Sequence, residues 1–173
     1  GEVVDAVADI TRPFVQKALT DAVGVQAEGR EHMATFGDMV WATLGPPNEL
    51  FEEAMVGVGP VLEWIETCCD RERLAGPGIG TALYALADEG AVTHAEAKLL
   101  LQNVLAAGAD TTMLTMANAM QAFALFPGEY AKLRADPTLV RAAFDESLRW
   151  DSPSRMAGRI TTREVDRSEE HTS

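Results

Sequence analysis

The chain has 173 residues, enough for one domain with a real hydrophobic core. Its formal net charge of −13 and sequence pI near 4.5 exclude the clustered Lys and Arg that phosphate binding requires, so nucleic acid is not an expected partner. The hydrophobic share is 47%, yet no apolar run approaches the ~20 residues of a membrane span, and no basic start with an apolar stretch marks a secretory signal. These features lead us to expect a cytoplasmic protein that does not engage a membrane.

In chain order, residues 2–23 place Val3, Val7, Ile10, Phe14, Ala18 and Ala22 at helical spacing, with Gly24 as the closing residue. A second helix is expected over residues 31–44, broken by Gly45-Pro46-Pro47-Asn48. Residues 50–73 read as helix, kinked or interrupted at Gly57, Gly59 and Pro60. Residues 75–80 read as loop, and Gly76, Gly78 and Gly80 lack the Gly-x-Gly-x-x-Gly spacing of a phosphate cradle.

Thr93-His94-Ala95-Glu96 has the form of a capping box and opens a long helix reaching to about Phe126. Pro127-Gly128 ends it, and a short helix over residues 129–135 follows. Asp136-Pro137 then opens another helix that runs to Trp150 and stops before Pro153. Residues 156–165 gather Ile160, Thr161, Thr162 and Val165, which favours an extended segment or edge strand. Residues 167–173 look like translated sequencing adapter and are set apart from the domain at 1–166.

Adjacent Cys68 and Cys69 offer neither a disulfide framework nor a Cys-x-x-Cys pair, and read as buried inert thiols. His32, His94 and His171 have no metal-ligand spacing.

Two patterns carry chemistry. The long helix holds a polar interruption, Ala107-Gly108-Ala109-Asp110-Thr111-Thr112, inside an otherwise apolar run. Gly costs about 1 kcal/mol against Ala in a helix interior, and Thr bonding back to the preceding turn bends helices. One reading is close helix packing at Gly108, with exposed Asp110 and self-bonded hydroxyls. The other is a local opening that frees a carbonyl and presents a hydroxyl and a carboxylate for proton delivery. The second pattern, Glu146-Ser147-Leu148-Arg149, places an acid and a guanidinium one turn apart. Such pairs usually decorate solvated faces, but a buried one can lock tertiary geometry through the arginine fork.

Together, Ala107-Gly108-Ala109-Asp110-Thr111 and Glu146-Ser147-Leu148-Arg149 resemble the two helical signatures of the cytochrome P450 family, with Phe126-Pro127 and Leu133-Arg134-Ala135-Asp136-Pro137 similar to its bacterial members. The resemblance implies a mainly α fragment of that fold and a haem-thiolate monooxygenase using haem b, dioxygen, a ferredoxin and its NAD(P)H-dependent reductase on a small organic substrate. It implies that Thr111 hydrogen-bonds the reacting dioxygen or its neighbouring water, that Asp110 relays protons, and that Ala107 and Gly108 let oxygen and substrate approach. Glu146 and Arg149 would be structural, and Arg159 would pair with a haem propionate.

The family's Phe-x-x-Gly-x-x-x-Cys loop does not occur in the 173 residues, and Cys68 and Cys69 do not match it, so the chain alone is expected to be inactive. Residues 36–48 and 133–137 are similar to the members that oxidise para-substituted benzoic acids. By that similarity Trp41 and Leu44 would lie on a lid over the substrate, with Asn103, Ala107, Ser154 and Met156 in the pocket. Against this stands a plain reading of Trp41 and Leu44 as core, and of the whole chain as a non-enzymatic helical bundle.

Overall fold

The computed structural model describes residues 3–155 and 161–163. Asp5 opens the first element: its carboxylate accepts from the Val7 and Ala8 amides, and a π-helical turn over Ala6–Thr11 leads directly into α1 (Arg12–Val23). Gly24 closes α1 at φ 91°, a left-handed conformation that costs glycine nothing. The expected single helix is thus two consecutive elements, π-helical and then α-helical.

The next helix, α2 (His32–Thr43), falls within the predicted span. The predicted interruption at Gly57 to Pro60 separates α3 (Glu49–Ala54) from α4 (Gly59–Cys68), with Pro60 in the first turn of α4 where its missing N–H costs no hydrogen bond. A single 3-10 turn, Arg71–Arg73, follows.

Helix α5 (Ile79–Asp88) begins inside the stretch read as loop and otherwise occupies residues that the sequence reading leaves unassigned, although its Ala and Leu content favours helix. Its start depends on close approach. A Cβ at Gly78 would lie 2.6 Å from the Ala22 carbonyl oxygen, and one at Gly80 would lie 2.6 Å from that of Val23. Ala75 N–H also donates to the Gly24 carbonyl at 2.7 Å, so the glycines fit this loop against the end of α1.

The spine is α6 (His94–Leu125), 32 residues without a break. The Thr93 hydroxyl accepts from Glu96 N–H, and the Glu96 carboxylate accepts from Thr93 N–H, completing the predicted capping box. Pro127 does not merely end α6: it stands at the first position of α7 (Pro127–Ala135). Asp136 caps as expected, although the first turn is 3-10 (Pro137–Leu139) before α8 (Val140–Trp150).

Helices α1, α2 and α5 pack on α6. Their shared core includes Val23, Met33, Phe36, Trp64, Tyr84, Leu101 and Leu105. Full burial of a Leu contributes roughly 1.5–3 kcal/mol, and Leu101 and Leu105 both have no exposed surface. Polar ties dock α4 alongside: Gln102 Nε2 donates to the Ile65 carbonyl at 2.7 Å, and Lys98 pairs with Asp70 at 2.9 Å.

Cys68 and Cys69 are buried free thiols, as read. The Cys69 sulfur and burial push the Cys68 thiol up. Tyr84 Oη donates to the Cys69 carbonyl at 2.9 Å, which anchors this backbone in the core.

No strand forms among the described residues. Of the predicted extended segment, residues 156–160 and 164–165 lie outside the described residues, and 161–163 are irregular and exposed. The adapter-like residues 167–173 also lie outside them. Among the described residues no helix is long and apolar enough to cross a membrane.

Candidate functional site

At ~100° per residue, positions 100, 103, 107, 111 and 114 of a helix fall within one narrow stripe. In α6 these are Leu100, Asn103, Ala107, Thr111 and Leu114. Leu100, Asn103, Ala107 and Leu114 are exposed, and Thr111 is partly so. The opposite side carries Leu101, Leu105, Ala109 and Met113, all buried. One helix thus has a packed side and an open side lined by small and apolar groups.

The motif residues divide between these sides. Ala107 and Thr111 belong to the open stripe, where Thr111 Oγ1 donates to the Ala107 carbonyl at 2.7 Å. Thr115 Oγ1 likewise donates to the Thr111 carbonyl at 2.7 Å. The local opening weighed from sequence is therefore absent: α6 is continuous, and the Thr111 hydroxyl occupies the carbonyl that an opening would have freed. Gly108 points the other way. A Cβ there would lie 3.1 Å from Leu19 Cδ1 and Cδ2, so the glycine brings α1 close to α6, as the packing reading has it.

Asp110 sits on the border between the sides and is half-buried, not exposed as the packing reading had it. A Cβ on Gly37 of α2 would come within 3.0 Å of Asp110 Oδ1, so α2 lies against this carboxylate because residue 37 has no side chain. Burial pushes the Asp110 carboxyl above the usual carboxylate range, Asp38 pushes it further, and Arg12 opposes both. Gly37, Asp38 and Arg12 were not singled out from the sequence. Gly37 inside a helical pattern was the available signal, since glycine there costs stability unless something approaches closely.

A cavity of about 570 Å³ opens beside Asp110, between α2, α3 and α6, lined by Asp38, Trp41, Leu50 and Glu53 as well as Asp110. Trp41 and Leu44 are 39% and 72% exposed, which overturns their reading as core. Trp41 shares the cavity with Asp110; Leu44 is not among its lining residues. Asn103 is exposed on the open stripe of α6. Ser154 is exposed just beyond α8, where Asn118 Nδ2 donates to the Asp151 carbonyl at 2.7 Å and ties this end of the chain to α6. Met156 and Arg159 lie outside the described residues.

Glu146 and Arg149 form a two-pronged pair, with Nε to Oε2 at 2.7 Å and Nη2 to Oε1 at 2.6 Å. Both side chains are more than half exposed. The pair borders an apolar groove of about 460 Å³ through Glu146, with Phe126, Leu133, Leu139 and Trp150 among the other lining residues.

No family model matches the chain. It is 40% identical over 163 residues to cytochrome p450 CYP199A2 of Rhodopseudomonas palustris, covering 94% of this chain and 40% of that protein. It is 23% identical over 166 residues to the biotin biosynthesis cytochrome P450 of Bacillus subtilis, covering 94% and 42% respectively. Among solved structures it superposes on P450BioI, in a complex with hexadec-9Z-enoic acid ligated acyl carrier protein, with a TM-score of 0.74 at 22% identity, over 94% of this chain and 43% of that one. CalO2 superposes with a TM-score of 0.67 at 21% identity, over 86% and 38%. The chain spans about two-fifths of the length of the curated relatives it matches.

Proposed function

We propose that this chain, a segment of a bacterial cytochrome P450 by sequence and by fold, supplies the oxygen-activation helix and the substrate lid of a monooxygenase. The observation that carries this reading is the open stripe of α6, which bears Thr111 and Ala107 and has Asp110 at its edge.

The stripe suits a flat apolar macrocycle. Ala107 is the smallest group on it, Leu100 and Leu114 extend apolar surface along the helix on either side, and all are exposed. Haem b, when bound, supplies dioxygen activation and electron storage. Ala107 would set the distance of closest approach, and Arg159 would pair with a propionate. Cys68 and Cys69 are in the α4 core, away from this stripe, and neither serves as the axial thiolate. The 173 residues alone therefore do not form a competent oxygenase.

The reaction puts one atom of dioxygen into a substrate C–H bond while the other leaves as water, consuming two electrons and two protons. The electrons come from NAD(P)H through a reductase and a ferredoxin. This chain's part is the protons. Thr111 Oγ can turn from the Ala107 carbonyl to donate into the open side, and Asp110 can resupply it from α2's side of the helix. A carboxyl raised by burial holds its proton closer to neutral pH than an exposed one does, which suits that task.

Trp41 and Leu44 would cover the substrate, with Asn103, Ala107, Ser154 and Met156 lining its pocket. The substrate class we assign is a small para-substituted aromatic acid. In the complete enzyme 4-methoxybenzoate is expected to shift the haem absorption spectrum; no shift at saturation would remove the aromatic-acid assignment.

The test of the function itself is Thr111→Ala in the complete enzyme. Product formed per NAD(P)H consumed is expected to fall, with electrons escaping to peroxide or water. An unchanged ratio and turnover would instead favour a helical bundle that uses Gly108 only for packing.

A further inference from the structure

Successive positions in a helix point about 100° apart, so adjacency in sequence does not by itself bring two thiols together. Here α4 ends at Cys68, Cys69 is its cap, and the two Sγ atoms stand 3.7 Å apart. Both thiols are free. The Tyr84 hydroxyl, donating to the Cys69 carbonyl at 2.9 Å, holds that backbone in place. A cavity of about 360 Å³ opens on one member of the pair: Cys68 lines it together with Pro60, Trp64 and Thr67 of α4 and with His32 at the start of α2. Cys69 has no exposed surface and is not part of that wall.

The spacing selects the kind of partner the two sulfurs can take. Two bonds of about 2.3 Å from one soft atom, meeting near the tetrahedral angle, set their sulfurs roughly 3.8 Å apart. Thiol ligands favour soft acceptors. A zinc ion would need two further ligands, and among the described residues no group of three His, Cys, Asp or Glu side chains is placed to hold a metal. The acceptor that fits needs only two thiols and brings its own third substituent. We propose that Cys68 and Cys69 form a dithiol site for trivalent organoarsenic compounds, with arsenic bridging the two sulfurs and its organic group lodged in the cavity against Trp64. The site lies in the α4 core, away from the open stripe of α6, and does not depend on the roles of Thr111 and Asp110.

An arsenic(III) compound of the form R–As=O condenses with two thiols. The bonds to oxygen are replaced by two arsenic–sulfur bonds, and the oxygen leaves as water with both thiol protons. Arsenic stays trivalent, so no oxidant or reductant enters. A cavity of about 150 Å³ already accommodates benzene, so one of about 360 Å³ admits a phenyl ring beside the Trp64 indole. Burial sets the order of bond formation: Cys68, at the cavity wall, bonds first, and Cys69 then closes the chelate.

The probe is phenylarsine oxide, added to the complete haem-loaded enzyme in thiol-free buffer. Peptide mapping by mass spectrometry is expected to place a single phenylarsenic group on the fragment that holds Cys68 and Cys69, and tryptophan fluorescence is expected to fall on binding. Excess mercaptoethanol should leave the adduct in place and dithiothreitol should remove it, because only another dithiol matches the chelate. Cys69→Ser keeps the accessible thiol and should bind about 100-fold more weakly, since linking two bonds raises affinity by at least about that factor. Cys68→Ser should not bind, because Cys69 has no access of its own. The haem spectrum of the carbon-monoxide form reports separately on attack at the axial cysteine and on loss of folding in a variant. No adduct on the Cys68 and Cys69 fragment of the unaltered enzyme, or one that mercaptoethanol strips, overturns the proposal, and neither result depends on a variant folding. Undiminished binding in either single variant overturns the bridge between the two sulfurs.

Discussion

The two sides of α6 are built from the same helix and nearly the same residue types, yet they do opposite work. On the packed side Leu101 and Leu105 are fully buried among α1, α2, α4 and α5. On the other, Leu100 and Leu114 are 42% and 38% exposed, and Thr111 and Ala107 stand between them. The difference teaches that apolar character along this helix goes with core packing on one face and with an open surface on the other, the surface that the proposed function assigns to a ligand. Hydrophobicity alone cannot tell them apart, because both sides lose water only when something covers them.

The largest expected effect tests the packed side. Leu105→Ala should destabilise the fold by about 2–5 kcal/mol, because a fully buried Leu leaves a cavity that its neighbours only partly refill. Leu100→Ala on the open side should cost far less, under about 1 kcal/mol in the haem-free chain. Chemical denaturation of the two variants checks the contrast; equal losses would mean that the open stripe is packed after all.

Thr93→Ala probes the start of the helix that carries both sides. It removes the hydroxyl that accepts from Glu96 N–H, at a cost of about 1 kcal/mol, read as a lower denaturation midpoint.

At the border between the sides, Asp110→Asn should stabilise the fold slightly at neutral pH. The folded-state carboxyl is raised, so ionisation above the unfolded value works against folding, and stability falls as pH rises towards the folded value. Half-burial leaves solvent screening, which keeps the gain below about 1 kcal/mol. Denaturation midpoints at pH 4 and pH 7 measure it: the variant should gain at pH 7 and not at pH 4. Stability would then rise while the proposed proton transfer slows, as expected where a functional group is held in an unfavourable place.

Away from α6, Asp88 gives the opposite dependence. Arg71 and His94 hold its carboxyl down, to about 2. A depressed carboxyl contributes stability above its unfolded value, and that contribution is lost as pH falls from about 4 towards 2. Asp88→Asn should remove this acid-side slope, seen as a flatter plot of thermal midpoint against pH below 5.

Much of the scaffold was legible from short-range chemistry. Thr93 and Glu96, Asp136 and Pro137, Gly24, and the break at Gly57 to Pro60 each act through the backbone groups of their own turn, and each appears where the residues put it. The start of helix α5 inside the stretch read as loop was not legible, because Gly78 and Gly80 there fit under the carbonyls of Ala22 and Val23, residues more than fifty positions away. The candidate site divides the same way. Asp110 and Thr111 stood out as polar groups inside an apolar run, whereas Arg12 and Asp38 look like ordinary surface charges until α1 and α2 close on α6.

The sequence by itself determined the helical class, the helix ends set by Gly24, Thr93 and Asp136, and the motif pair that relates this chain to cytochrome P450, because capping, proline placement and residue spacing act locally. Only the tertiary structure decided that Gly108 faces Leu19, that Trp41 is exposed beside Asp110, and that the Glu146–Arg149 pair is solvated. The physical reason is that burial and field at a side chain depend on what other helices bring to it, and in α6 about half a turn of rotation separates a core position from an open one.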